Sequence, residues 1–541
     1  MRKEFEIGIR FENNTEYYAS KDVYHVYPKD TVEVCEDRYV ALRAHDTKEF
    51  DAFVFLKGKK NITLDFGGAT LVMHGKIQPF LIDSCENVTI KNCNVTYERP
   101  AYTEAMIVEA DKDFVRLKLN EKCTCYIEDE KLIPYGENWE NHRLNYNGHF
   151  HQVFDTDTRK GCGLHLGAIG SEIIMERDRP YTVRHFKASK DGEDILLKGD
   201  VPEFYKEGRT LVITHETRSL ASVFMIDSKN VSIINYRILS GWGMGIYSYR
   251  TENIYIDTLV LTCDEKTHFI VTNAADVIHT FGTSGEFVIK NCVFEGMIDD
   301  AINIHSNFRT VNYVCGNEIH ADLASCEKQA ADLYRVGDVI AVYKGKTMEE
   351  AARYTITEIR DVDESAKIYI VDRDAGDHKN GDLIECITAN CDVTIESCVI
   401  GKANSHIRLQ TRGKIEMRNC ESELPILLSG DASYWFESGP VTDLTIENCR
   451  FLDERAQICI VSEIYPNENE PYYHKNIKVI NCEFDTDVPL WGGYADGIVF
   501  KGNVNSKGKS MKIILTNCGT VEVDEVEVEN KKEVKTELNL N

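Results

Sequence analysis

Ile415-Glu416-Met417-Arg418-Asn419-Cys420, Leu444-Thr445-Ile446-Glu447-Asn448-Cys449 and Ile477-Lys478-Val479-Ile480-Asn481-Cys482 repeat one phrase. Inward and outward side chains alternate as in a half-buried strand, and the run breaks at an Asn, a residue that tolerates the left-handed region. Further copies end at Cys93, Cys292, Cys398 and Cys518. The spacing from Cys398 to Cys420 is 22 residues, and the next two intervals are 29 and 33. That is one coil, with or without a loop, of a solenoid whose strands stack about 4.8 Å apart. The reading is an all-β, right-handed parallel β-helix. In a coil of this kind the repeated Cys is a small apolar side chain stacked inside.

Two stretches break the phrase into longer alternating strands with charged turns. Examples are Arg116-Leu117-Lys118-Leu119 and Asp338-Val339-Ile340-Ala341-Val342-Tyr343. Tyr354–Ile359 and Ala366–Val371 read as a hairpin around acidic turn residues. The expected organisation is N-terminal coils over 1–100, an inserted small antiparallel β-barrel over 101–215 and central coils with the chemistry over 216–310. A second inserted barrel over 311–388 precedes C-terminal coils and an acidic, Lys-rich tail over 389–541, whose end is expected as an edge strand or a frayed terminus.

With 541 residues, 43% of them hydrophobic, the chain can bury a large core. Its net charge of -27 opposes polyanionic partners, so nucleic acid and membrane surfaces are not expected and a neutral oligosaccharide or glycoconjugate is. No signal-like or membrane-spanning apolar run is visible, which predicts a cytoplasmic protein, or a secreted one if a leader has been removed. Eighteen cysteines in a cytosolic chain then read as thiols. No CxxC pair has zinc-ligand spacing, and neither a metal nor a cofactor is expected.

A β-helix offers a long flat face, so chemistry must come from polar side chains stacked on it. Asp276 lies in Asn273-Ala274-Ala275-Asp276-Val277-Ile278-His279. Asp299 and Asp300 lie in Gly296-Met297-Ile298-Asp299-Asp300-Ala301-Ile302-Asn303-Ile304-His305, 23 residues, or one coil, beyond Asp276. Crowded carboxylates push one another's pKa values apart and so supply an acid and a base, the division of labour that glycosidic cleavage needs. His279, Asn303 and His305 flank them. For sugar binding the sequence offers Trp242, Arg408, Trp435, Glu437 and Glu463, since aromatic faces stack on a pyranose while Arg and carboxylates grip hydroxyl pairs.

The segment Asn273–His305, with Glu295-Gly296-Met297-Ile298-Asp299-Asp300-Ala301-Ile302-Asn303-Ile304-His305 at its heart, resembles glycoside hydrolase family 110, the exo-α-1,3-galactosidases. Asp65-Phe66-Gly67-Gly68, Glu98-Arg99-Pro100 and the run Ile426–Gly439 extend the resemblance along most of the chain. It implies a β-helix with small barrel insertions and an inverting hydrolase that removes terminal α-1,3-linked galactose without metal or cofactor. It further implies Asp299 as general acid, Asp276 and Asp300 positioning and deprotonating water, and a homodimer. Polygalacturonases share an Asp plus Asp-Asp arrangement, but Gly-His-Gly and Arg-Ile-Lys are missing here. A β-helix lyase would want a Lys or Arg base with calcium. A tailspike-like β-helix that binds glycans without cleaving them would have no need of crowded acids.

Overall fold

The computed structural model describes residues 1–35, 49–142, 149–170, 183–215, 218–263, 269–322, 333–345, 347–363, 366–403, 405–432, 435–462 and 472–532. The chain winds as a parallel β-helix with three strand-bearing faces per coil. One coil runs Lys414–Arg418, Glu421–Ser422 and Ile426–Gly430. Each segment pairs in parallel with its counterpart in the next coil, Asp443–Glu447, Arg450–Phe451 and Ile458–Ser462. At the far end Glu527–Lys531 lies parallel to Lys512–Thr516 as a last edge rung.

The repeated Asn turns the corner between the first two faces. Asn92, Asn291, Asn419, Asn448, Asn481 and Asn517 all have φ between 51° and 55°, and Ser397 takes the same conformation at 56°. A second corner stacks amides. Asn61, Asn87, Asn230 and Asn253 each donate from Nδ2 to the Oδ1 of the Asn one coil before, beginning at Asn14, at 2.7–2.9 Å. The cysteines that follow the first corner, Cys93, Cys292, Cys398, Cys420, Cys449, Cys482 and Cys518, are buried as free thiols. They join one continuous core with Ile415, Met417, Leu444, Ile446, Ile477 and Val479. Each such aliphatic side chain contributes about 1.5–3 kcal/mol by leaving water.

Two closed barrels interrupt the coils. The first follows the order Tyr102–Asp111, Phe114–Leu119, Asp194–Gly199, Val183–Asp191, Gly161–Ile169, His149–Phe154, Thr210–Thr214 and back. It departs from the expected all-antiparallel barrel at one pair, Gly161–Ile169 with Val183–Asp191, which run parallel. The second grows directly from the third face. The strand Ile302–Cys315 leaves the coil and pairs antiparallel with Glu318–Asp322 and Leu383–Cys386. Ala366–Val371, Glu349–Asp363 and Val339–Lys344 complete its ring, with the anticipated hairpin between Glu349–Asp363 and Ala366–Val371. Both barrels are rooted beside the coils that carry Asp276, Asp299 and Asp300.

Candidate active site

The third face carries an outward column in strict register. It runs Phe55, Leu81, Phe224, Tyr247, His279, Asn303, Arg408, Leu427, Cys459, Trp491, Ile514, one residue per rung. Its middle three members are polar, and the carboxylates gather around them.

The register sharpens the sequence spacing. Asn273 bridges Met297 and Ile278 pairs with Ile302, both 24 residues apart, so the partner of Asp276 on the next rung is Asp300. Val277 N donates to Asp300 O at 2.9 Å. Asp276 is fully buried and Asp300 nearly so, whereas the Asp299 side chain keeps 28% of its exposure. Asp299 accepts a hydrogen bond from Arg218 Nη2, which also stands 3.9 Å from Asp276 Oδ1. Arg408 Nε lies 3.0 Å from Asp300 Oδ2, and Ser405 Oγ donates to Asp300 Oδ1 at 3.2 Å. Burial pushes the Asp300 carboxyl above its ordinary range, against the pull of Arg408, with Asp299 and Asp276 adding to the rise.

Glu437 is set by a two-residue strand whose partner is the root of the second barrel, Ser306 opposite Ser438 and Asn307 opposite Glu437. It accepts from Gln410 Nε2 at 2.9 Å and lies 3.5 Å from Arg408 Nη1. Burial alone would raise its carboxyl, but His305, Arg408 and His279 outweigh burial and hold it at about 2.

Asp276, His279 and His305 form a chain. His279 Nδ1 is 2.5 Å from Asp276 Oδ2, the two Nε2 atoms are 3.1 Å apart, and His305 Nδ1 is 2.8 Å from Ser306 O. The Ser306 carbonyl can only accept, so His305 Nδ1 carries a proton. One imidazole, His279, thus links the Asp276 carboxylate on its own rung to His305 on the next.

The first barrel fixes the two acid-bearing loops. Glu104, buried on the strand Tyr102–Asp111, accepts from Ile270 N and Val271 N, and Tyr102 Oη donates to Val271 O. Gln152 Nε2 donates to Ile298 O, next to Asp299. Burial lifts the Glu104 carboxyl to about 8 against the two backbone donors.

Of the side chains anticipated from sequence, Asp276, Asp299, Asp300, His279, Asn303, His305, Arg408 and Glu437 come together. Trp435 joins them, with the Arg218 guanidinium 5.9 Å from its ring centre. Trp242 does not. It is 3% exposed, donates from Nε1 to Ser219 Oγ and packs against Tyr97 and Trp139 in the core. Its flanking glycines explain why: a Cβ at Gly241 would meet Asn273 Oδ1 at 2.1 Å and one at Gly243 would meet Leu220 O at 2.3 Å, so the backbone is pinned against its neighbours and the indole turns inward. Glu463 lies outside the described residues. Sequence reasoning missed Arg218, Ser405, His406 and Gln410. Gln410 and His406 sit two residues either side of Arg408 and follow from the strand register, whereas Arg218 stands in an irregular corner with no spacing signal. Among the described residues no group of three or more His, Cys, Asp or Glu side chains is arranged to hold a metal ion. No helix among them is long and apolar enough to cross a membrane.

Fold and site together define a parallel β-helix with a carboxylate cluster on its third face, braced by two arginines and two inserted barrels. Its relatives are α-1,3-galactosidases. The chain is 26% identical over 505 residues to α-1,3-galactosidase B of Bacteroides thetaiotaomicron, covering 88% of this chain and 80% of that protein. It is 26% identical over 464 residues to α-1,3-galactosidase A of Bacteroides fragilis, covering 82% and 73%. To α-1,3-galactosidase A of Shewanella woodyi it is 25% identical over 452 residues, covering 79% and 70%. No protein-family model matches the chain. Among solved structures, the mannuronan C-5 epimerase A-module of Azotobacter vinelandii aligns over 96% of this chain and 91% of its own at 8% identity and a TM-score of 0.29, too remote to bear on the chemistry.

Proposed function

We propose that the protein is an exo-acting glycoside hydrolase that removes terminal α-1,3-linked galactose from neutral glycans with inversion at the anomeric carbon. The observation that carries this reading is the pairing of Asp276 with Asp300 on adjacent rungs, Asp299 beside them, in a chain whose curated relatives are named α-1,3-galactosidases.

Asp299 is the general acid. It is the most exposed of the three carboxylates, so a leaving oxygen can reach it. Before it can donate a proton, Arg218 must release it, and Asp276 stands within reach to receive the guanidinium. Asp276 and Asp300 hold the water between adjacent rungs and take its proton as oxygen attacks the anomeric carbon from the face opposite the leaving group. Burial raises the proton affinity of Asp300, which suits it to take that proton. Asp299 passes its proton to the departing glycosidic oxygen, so atoms and charge balance. Arg408 and Glu437 grip hydroxyl pairs of the sugar, and Trp435 offers its ring to the apolar face of galactose. Glu437 stays ionised at neutral pH, since its carboxyl is held at about 2.

The test is a panel of digalactosides joined α-1,3, α-1,4 and α-1,6, together with an α-linked galacturonide, assayed for free monosaccharide. Galactose released from the α-1,3 disaccharide alone is expected. Release of galacturonate, or equal rates on every linkage, would contradict the reading.

A further inference from the structure

The register column has two unlike arms. Toward the N-terminus its members Phe224 and Tyr247 are buried in a cluster shared with the second barrel. Toward the C-terminus it leaves the site at Arg408 and continues through Leu427, Cys459 and Trp491, where Trp491 is 38% exposed. Leu427, Cys459 and Trp491 form one wall of a trough of about 740 Å³, within the range of ligand-binding clefts. His406 lines its near end, and the same ring puts Nδ1 3.6 Å from Asp300 Oδ1, so trough and site are continuous.

We infer that this trough binds the part of the glycan that remains after the terminal galactose is removed, a neutral oligosaccharide extending along the C-terminal coils with Trp491 as its far stacking platform. The inference rests on the proposed glycosidase reading. Arg408 and Trp491 are three rungs apart, roughly 14 Å at strand spacing, enough for a short run of sugar rings beyond the cleaved bond. Gln457 Oε1 accepts from Trp491 Nε1 at 2.9 Å, which fixes the plane of the indole. Each Lys and Arg on the rim has an acidic partner: Lys507 lies 3.6 Å from Asp485, Lys509 3.3 Å from Asp487 and Arg455 3.1 Å from Asp453, and Glu454 lines the trough beside them. A rim paired in this way suits uncharged sugars and offers no unpaired cation row to a polyuronate. In the opposite direction the column runs into Tyr247 and Phe224, buried against the second barrel, so a substrate held by its terminal galactose leaves the site toward Trp491.

The experiment compares the α-1,3 digalactoside with a neutral pentasaccharide of the same non-reducing end, using wild-type protein, Trp491→Ala and Trp491→Phe. Wild type should cleave the pentasaccharide with a kcat/KM about tenfold higher. Trp491→Ala should lose that ratio through KM, and Trp491→Phe should restore part of it. Titration calorimetry of the pentasaccharide against Asp299→Asn, with and without Trp491→Ala, reads the trough without turnover, and a tenfold weaker Kd in the double variant is expected. Absence of galactose release from both substrates would sink the glycosidase reading alone, because the calorimetry still decides the trough. Equal length ratios and equal Kd values with and without Trp491 would overturn the trough. So would a Trp491→Ala protein whose only change, seen by sedimentation, is loss of a dimer.

Discussion

The Asn corners and the third face are cut from the same coils, yet they carry opposite kinds of information. At the corner of the early coils each coil does the same thing: Asn14, Asn61, Asn87, Asn230 and Asn253 share one backbone conformation and pass one hydrogen bond along the stack. On the third face each rung differs, and the column changes from aromatic to histidine, amide and guanidinium and back to apolar over a few coils. A repeated side chain is what a solenoid needs for stability, because each coil is held mainly by its neighbours. A break in the repeat brings unlike groups within one rung spacing, and there burial and crowding shift their proton affinities. The contrast predicts that damage to the third face removes activity while sparing the fold, and that damage to a corner does the reverse.

The largest expected effect is on rate. Asp276→Asn, Asp299→Asn and Asp300→Asn should each lower galactose release by about a thousandfold or more, with thermal melting showing the fold retained. An intact rate in any of the three would remove that residue from the chemistry.

Glu437→Gln joins the two halves of the comparison, since this carboxylate serves both site and fold. A buried carboxyl held at about 2 instead of an ordinary 4.5 stabilises the fold by about 3 kcal/mol at neutral pH. The folded value is depressed, so that contribution is complete above about 4.5 and disappears as pH falls toward 2. Denaturant unfolding across this window should show the acid loss in wild type and a flatter profile in Glu437→Gln. Asp300 has the opposite sign. Its folded pKa is raised, so its contribution declines as pH rises through and above 3.8, and Asp300→Asn should lessen that decline.

At the corner, Asn230→Ala loses the hydrogen bond to Asn87 and the one accepted from Asn253, and leaves a residue without a local polar side chain at φ 55°. A cost of about 1–2 kcal/mol is expected, read from the denaturation midpoint, with kcat/KM preserved. A large fall in kcat/KM would break the separation of roles. The smallest effect belongs to the strut between first barrel and coils, where Lys160 Nζ lies 2.6 Å from Asp453 Oδ2 with the lysine partly exposed. Lys160→Ala should cost less than about 1 kcal/mol.

What could be read in advance follows the same division. Asn419-Cys420 and its copies announce the coil because the corner demands a left-handed residue followed by a small buried one, a purely local requirement. Asp276, Asp299 and Asp300 were legible because no insertion separates their two rungs; spacing put Asp276 beside the Asp pair, and the strand register picks Asp300 as its partner. Arg218 was not legible, since it reaches the site from a corner whose path depends on where the first barrel closes. Trp242 misled for the complementary reason: an aromatic face reads as a sugar platform, while close contacts of the flanking glycines with Asn273 and Leu220 decide that it turns inward.

Proton NMR of the first minutes of hydrolysis of an α-1,3-linked digalactoside tests the central claim most directly, because it reports bond cleavage and the face of water attack together. The account predicts that β-galactose is the first anomer to appear with wild-type protein, and that its signal is absent with Asp299→Asn. Early α-galactose would contradict a water held by Asp276 and Asp300 opposite the leaving group, and undiminished release by Asp299→Asn would contradict the acid.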